Sequence, residues 1–501
     1  MARAFRVDPR GILGARYADP SSFLPALLTF ALSRSAYHIR ILPADLNRGR
    51  FLFTFNGETG VPDGTITGSD DGPLAGFLVS DTVTVISGAT RWVGRVSGMH
   101  SSNEHEDCGD ATTIMLRRRM DEKFLDTDSV LSLTRRYAEM MGVTVEVVTK
   151  TGVETVNRTP VWQSEDAIEV AEFGLDLLGA EPLDLLPLKD AEGETYGVAY
   201  ILPTSPPPRD KPAHILYREG LRLDDTGEDL LPGWAFFARC VLDVARMPSP
   251  EAVAASLRSW LLLLSSRQPR RLNQFVAAHH LALKVQAAHD PELARIIVRW
   301  LPLETTAGRL TLTELLSRTR HVRYAASRDV YRQLAPIAGR NVPFVNGGHL
   351  HDVKLLEMVP SLYEGVTVER VDPADVLDDL DDPPLSSRAA HARLLGVADL
   401  ALAPTGSVTV MKSYEPASLP VIYLGDSGTL CLNYRSPIVQ HLARLTDQTV
   451  LSRTVQLLHA QARLLGHYPL RGVDSDLLSG AMLDLVQLAS LEEDLSGMDH
   501  G

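Results

Sequence analysis

Three short stretches hold the side chains that most readily do chemistry. EHEDC, from Glu104 to Cys108, packs carboxylates, an imidazole and a thiol into five residues. These are the donor types a transition metal takes, but no partner cluster completes the set, so a solvated loop explains it better. In GGHLHD (347–352), His349 and His351 alternate as two ligands on one strand face would. His279 and His280 sit inside a helical pattern, where one buried, satisfied imidazole is the expectation. The sequence holds no serine nucleophile elbow, no Walker loop and no zinc spacing. Asn157-Arg158-Thr159 fits a glycosylation acceptor, which carries meaning only in a secreted chain. These residues alone name no reaction.

The elements that position them fall into three regions. Residues 1 to about 155 combine an apolar helix over 22–34 with strands at FLFTF (51–55), DTVTVIS (81–87), RWVGRVSG (91–98) and TVEVVTKTGVETV (144–156). The Gly/Asp-rich run NGETGVPDGTITGSDDGP (56–73) is turn material. A second region opens near Pro160 with a strand pair, YGVAYILPT (196–204) and AHILYREGLRL (213–223), split by the proline-rich loop SPPPRDKP. A helical block from about Leu230 to Arg299 follows. Within it Leu272, Phe275, Val276, His279 and Leu283 share one stripe. Residues 310–375 alternate short helices and strands, which predicts βαβ units and a parallel sheet. The acidic run DPADVLDDLDDPP (372–384) reads as a linker. In the α/β tail, Leu451, Val455, Leu458, Ala462 and Leu465 line one helix face, and a final amphipathic helix covers about 475–494. These faces suit intrachain packing or a dimer interface.

The bulk numbers narrow the class. A chain of 501 residues exceeds one core. A net charge of −14 without a Lys/Arg run argues against a protein that tracks nucleic-acid phosphates. Cys108, Cys240 and Cys431 are scattered and odd in number, so a reducing compartment is the default. FLPALLTFAL (23–32) follows several arginines like a signal-peptide core. Asp8 and Asp19 interrupt the basic region, Pro25 breaks the run and Arg34 follows it. No stretch reaches the roughly 20 apolar residues of a membrane span. A cytoplasmic protein with no membrane and no nucleic-acid partner is expected.

The clearest mark is LYREGLRLDDTGEDLLPGWAFFARCVLDV (216–244). Read locally it is a strand, a turn at Asp224–Gly227, and a helix from about Leu230 with Asp229 as N-cap and Pro232 in its first turn. Leu231, Trp234, Phe237, Ala238 and Val241 follow at helical spacing. The order of residues resembles the middle domain of the heat-shock protein 90 chaperones, with Glu228, Leu230, Leu231, Pro232, Trp234, Phe237 and Asp243 matching that family's pattern. WLPLETTAGRLTLTELL (300–316), FVNGGHLHDVKLLE (344–357), LLGHYPLR (464–471) and FRVDPRGILG (5–14) look like its bacterial branch. In that family the Asn346-Gly347-Gly348 position is a structural turn. The likeness implies a multidomain α+β and α/β chain. Its parts would be a reduced GHKL-like α/β sandwich over 1–155, a middle domain over 156–375 split near 305, and a C-terminal dimerisation domain over 390–501.

The same resemblance implies an ATPase whose groups are altered here. The family's water-polarising Glu falls on Ala26, its Mg²⁺-holding Asn on Phe30, and a following Asp on Ser33. Neither Ala26 nor Phe30 can act as a base or metal ligand. The adenine-reading Asp falls on Phe55, with Asn56 and Gly57 surviving beside it. The stretch to DGPLAGFLVSD (71–81) is too short for a helix and a lid, and the phosphate glycines reduce to Gly72 and Gly76. Thr112 stands where the family keeps an adenine-side Thr. After Val244 the loop that carries the γ-phosphate Arg is missing, and Arg246 and Arg258 do not replace it.

The expectation is therefore a chaperone-like protein without productive ATP hydrolysis, a homodimer through 451–494 that holds a client or partner protein. No catalytic residue and no cofactor is expected; ATP and Mg²⁺ would bind only if the altered pocket retains them. The alternatives are an active ATP-dependent chaperone with a rearranged pocket and a non-chaperone scaffold subunit.

Overall fold

The computed structural model describes the chain apart from residues 1–2, 5–8, 18, 63–71, 121, 208–209, 211–212, 338–341, 426 and 499–501. Half of the Gly/Asp-rich run, and residues 5–8 of FRVDPRGILG, therefore lie outside the described residues. The fold is mixed α/β with several sheets. It divides into two compact units, Met1–Trp260 and Leu261–Gly501.

The first unit begins with a nine-stranded sheet. Its spatial order is Arg3–Ala4, Met99–Glu104, Thr90–Arg95, Ser80–Ser87, Ala111–Arg118, Arg50–Asn56, His38–Leu42, Thr144–Thr149 and Gly152–Thr155. Neighbours run antiparallel except His38–Leu42 beside Thr144–Thr149, which are parallel. The strand Arg50–Asn56 alternates buried Phe51, Phe53 and Phe55 with half-covered residues, the period of a sheet packed on one face. The helix Phe23–Ser33 covers that face with Phe23, Leu24, Leu27, Leu28, Phe30 and Ala31. A 3₁₀ stretch, Gly72–Leu78, packs against this helix and adds Leu74 and Phe77 to the same core.

The second sheet of this unit corrects the reading of 216–244. Residues 230–244 form no α-helix: a 3₁₀ turn, Gly233–Ala235, leads into the strand Ala238–Asp243. That strand is central. It pairs antiparallel with Thr195–Ile201 and parallel with Ile215–Arg218, so the two strands expected to pair are separated by it. Ala238, Cys240, Val241, Leu242 and Asp243 are all buried. A strand covered on both faces reads as a continuous apolar run, and its helical spacing was coincidence. The expected single strand 213–223 is a hairpin instead, turning at Glu219 and Gly220, both with positive φ.

In the second unit, the helix Pro269–Ala287 buries Leu272, Phe275, Val276, His279 and Leu283, as the stripe predicts. A five-stranded sheet follows. His321–Ala325 lies parallel to Phe344–Asn346 and to Thr367–Arg370, with helices Arg328–Leu334 and Asp352–Leu362 between them in sequence. This gives the expected βαβ units, edged by an antiparallel hairpin, Pro302–Thr305 and Gly308–Thr311. The acidic run is not a bare linker. It forms the helix Pro373–Asp379, and Val376, Leu377 and Leu380 pack into apolar clusters.

Three strands, Val408–Lys412, Thr429–Asn433 and Val421–Leu424, build the last sheet. The helix Gln448–Leu465 buries Leu451, Val455, Leu458 and Ala462 in the same core as that sheet, whereas Leu465, in the helix's last turn, is exposed. The helix Gly472–Met498 packs along it. Among the described residues no helix is long and apolar enough to cross a membrane.

Candidate functional site

The positions that the resemblance aligns with a nucleotide site are spread over the first sheet, its covering helix and the 3₁₀ stretch Gly72–Leu78. Ala26 is half-buried on the helix Phe23–Ser33 and offers only a methyl group. Phe30 and Phe55 meet edge to face, with ring centroids 5.9 Å apart and planes at 83°. The Arg34 guanidinium lies over Phe30 at 5.3 Å. Ser33 is exposed, and its hydroxyl donates to Phe30 O at 2.7 Å, within the last helical turn.

Asn56 and Gly57 both bind Asp110. The Asn56 side-chain amide donates to Asp110 Oδ1 at 3.1 Å, and Gly57 N–H donates to Asp110 O at 3.0 Å. Tyr37 OH donates to the other carboxylate oxygen at 2.6 Å. The Tyr37 hydrogen bond, then that of Asn56, holds the Asp110 carboxyl below its ordinary range. A Cβ on Gly57 would come 2.4 Å from Arg34 O, so only glycine permits this approach.

Gly72 and Gly76 are both buried in the 3₁₀ stretch. A Cβ on Gly76 would stand 2.5 Å from the Leu116 side chain, which makes this glycine a packing residue of the sheet. Thr112 is fully buried opposite Phe55 and Ser87 in the register. Its hydroxyl shares a 2.6 Å hydrogen bond with Ser87 Oγ, which also accepts Gly60 N–H at 2.8 Å. Phe30 touches Phe55, and Phe55 faces Thr112 across the sheet, while the Ser33 hydroxyl, the Asn56 amide N–H and the Thr112 hydroxyl each bond to protein. The chemistry left to the cluster is packing.

The two arginines considered after Val244 part company. Arg258 lies over the Trp234 ring at 5.0 Å. Arg246 lines a cavity of about 500 Å³ together with Trp162, Gln163, Glu219 and Asp243. Sequence reading missed this cavity because its walls come from four separate segments.

The remaining constellations are structural. Glu104 ends the strand Met99–Glu104 and 105–108 are exposed loop, with Cys108 Sγ 3.9 Å from His105 Nδ1. His349 and His351 do not share a strand face; both lie in the turn before the helix Asp352–Leu362. Arg328 donates to His349 Nδ1 at 3.0 Å, so Nε2 carries the proton and donates it to Glu304 at 2.5 Å. That bond is the chief reason the Glu304 carboxyl is held below its ordinary range. His351 adopts φ +68° and sets its ring against His289. Asn157 accepts Val145 N–H and donates to Met141 O and Val143 O, which commits the whole amide. Among the described residues no group of three or more His, Cys, Asp or Glu could hold a metal ion.

Two buried polar groups had no local signal. Lys284, beside the stripe of Pro269–Ala287, sets Nζ 2.7 and 3.0 Å from the two oxygens of fully buried Asp352. Ser407, His459 and Asp474 stand in the order of a hydrolytic triad, with Ser407 Oγ 3.1 Å from His459 Nε2. His459 Nδ1 is 4.0 Å from Asp474, too far for a hydrogen bond, and all three residues are buried. Asp474 Oδ2 instead accepts from Arg471 N and Nε at 2.9 and 3.1 Å. Arg471 also donates to Thr405 O at 2.8 Å. The group is a clamp at the start of the last helix. Along that helix Met482, Leu483 and Val486 are exposed by 56%, 57% and 62%, an outward apolar stripe opposite the face packed on Gln448–Leu465. Compared with protein-family models and with curated proteins, the chain gives no match to either.

Proposed function

We infer that this chain is a divergent chaperone of the heat-shock protein 90 type, one that binds partner proteins without an ATP-driven cycle. The first sheet with its covering helix would be a reduced GHKL-like domain, the middle sheets the client-binding region, and the last sheet with its two helices the dimerisation domain. The residue order of 216–244 supports the kinship, and the Phe30–Phe55 contact carries the loss of function. An aromatic pair replaces the metal-binding amide and the adenine-reading carboxylate, so nothing there holds Mg²⁺ or activates water. Without differential nucleotide binding, no ligand shifts an open–closed equilibrium, and partner binding is constitutive. The apolar stripe Met482, Leu483 and Val486 favours a second copy as its cover.

An aggregation-protection assay against several unrelated proteins tests this reading. Protection that is equal with and without Mg·ATP supports it. No protection of any of them points to the scaffold alternative, and protection that requires ATP points to an active chaperone.

A further inference from the structure

The helix Ala167–Leu178 of the first unit carries more apolar surface than its place requires. Of its twelve residues only Glu169, Glu172 and Asp176 are polar. A helix lying on a sheet needs one apolar stripe, and here Val170, Phe173 and Leu177 supply it, packed against the core of the second sheet. Gly174 brings the helix close: a Cβ there would stand 2.5 Å from the Tyr200 ring. Tyr200 OH donates to Val170 O at 3.1 Å. Asp166 caps the first turn by accepting Ile168 N–H at 2.8 Å, and Gly179 ends the last with φ +67°. The rotation of the helix is thus fixed, and with it the face turned outward.

That outward half is divided in two. Ile168, Ala171 and Leu175 recur at intervals of three and four residues, which sets them on one line. Ile168 and Leu175 are 68% and 47% exposed, with half-buried Ala171 between them. Beside that line, one step round the helix, run Glu172 and Asp176, both exposed. Glu169 is engaged: it accepts the Ser164 hydroxyl at 2.6 Å and lies 3.9 Å from Arg158. Among the described residues Glu172 and Asp176 take no hydrogen bond or ion pair, although like charges one turn apart repel. The helix holds no basic residue that would offset them.

An apolar line next to unneutralised carboxylates defines its complement. We propose that this face docks a basic amphipathic helix of a partner protein, its apolar residues on Ile168, Ala171 and Leu175 and its Lys or Arg side chains on Glu172 and Asp176. A helix laid against this one meets both rows at once, because its own rows repeat at the same spacing. The acidic flank repels phosphate-bearing surfaces, which turns away nucleic acid and anionic lipid. The surface stands independently of the chaperone reading and would serve a dedicated scaffold equally.

Fluorescence anisotropy of the full chain with a labelled helical peptide of about 14 residues, leucines on one face and lysines on the other, tests this. The peptide should bind with a dissociation constant below about 100 µM. An analogue with glutamate for every lysine, and a scramble of the same composition, should each bind at least about tenfold more weakly. Ile168→Ser with Leu175→Ser, and Glu172→Gln with Asp176→Asn, should each weaken binding by a similar factor. Their melting temperatures should change little, because all four side chains are exposed. Asp375→Asn with Asp378→Asn removes two exposed carboxylates elsewhere and should leave binding as it is. Binding that the first two variants retain, an equal loss in the Asp375 and Asp378 variant, or no binding at about 1 mM would overturn the proposal. So would a sedimenting dimer that Ile168→Ser with Leu175→Ser turns into a monomer, since the face would then belong to a second copy.

Discussion

Phe30 and Phe55 stand edge to face in the core of the first unit, one from the covering helix and one from the sheet beneath it. The contact joins two positions at which a nucleotide enzyme of the resembling family needs polar groups. It also ties the helix to the sheet and so contributes to stability.

Phe30→Ala should therefore cost about 3–5 kcal/mol through lost burial and a residual cavity. Phe55→Asp should cost at least as much, because a carboxylate would be buried without a partner. Chemical denaturation followed by far-UV circular dichroism reads both. Phe55→Asp alone should not confer nucleotide binding.

The Lys284–Asp352 pair makes a second prediction. Lys284→Met leaves a buried carboxylate uncompensated and should destabilise by about 3–5 kcal/mol, and Lys284→Met with Asp352→Leu should recover most of the loss. Burial already raises the Asp352 pKa, against the pull of Lys284. Removing the lysine raises it further, so the folded variant holds its proton at pH values where the unfolded chain, at 3.8, has released it. The deficit of Lys284→Met relative to the parent should thus be smallest below that value and grow as the pH rises.

Two buried histidines set a pH window. Burial pushes both His214 and His459 down to about 4 from 6.5. Between those values the unfolded chain binds more protons than the folded one, so stability should fall as the pH drops from about 6.5 to about 4. His214 Nδ1 accepts Cys240 N–H at 3.1 Å, which fixes its tautomer inside the second sheet. His214→Gln should flatten part of this slope in urea denaturation curves taken across the window, whatever it does to absolute stability.

The last helix makes a prediction about assembly. The parent chain should sediment as a dimer at micromolar concentration, and Leu483→Asp or Val486→Asp should yield a folded monomer, because a charge would sit in an apolar interface. A monomeric parent would remove the interface from the account.

Much of the first unit was legible because one-sided packing writes itself into sequence. Phe51, Phe53 and Phe55 alternate, and Leu24, Leu27, Leu28 and Ala31 recur at helical spacing. Ala238–Asp243 was misread for the converse reason: covered on both faces, it lost the alternation that marks a strand. At the positions that the resemblance aligns with a nucleotide site, the partners Asp110, Ser87 and Leu116 left no mark in the sequence. Those partners are set by sheet register, which a single sequence does not display. Lys284 and Asp352 lie 68 residues apart, and the Trp162 cavity draws on four segments, so neither leaves a local pattern.

The most direct test of the account is isothermal titration of the full chain with Mg·ATP. With Ala26, Phe30 and Phe55 where a base, a metal ligand and an adenine contact would be, the account predicts no binding heat and no phosphate release above the uncatalysed rate. Micromolar binding with nucleotide turnover would contradict it.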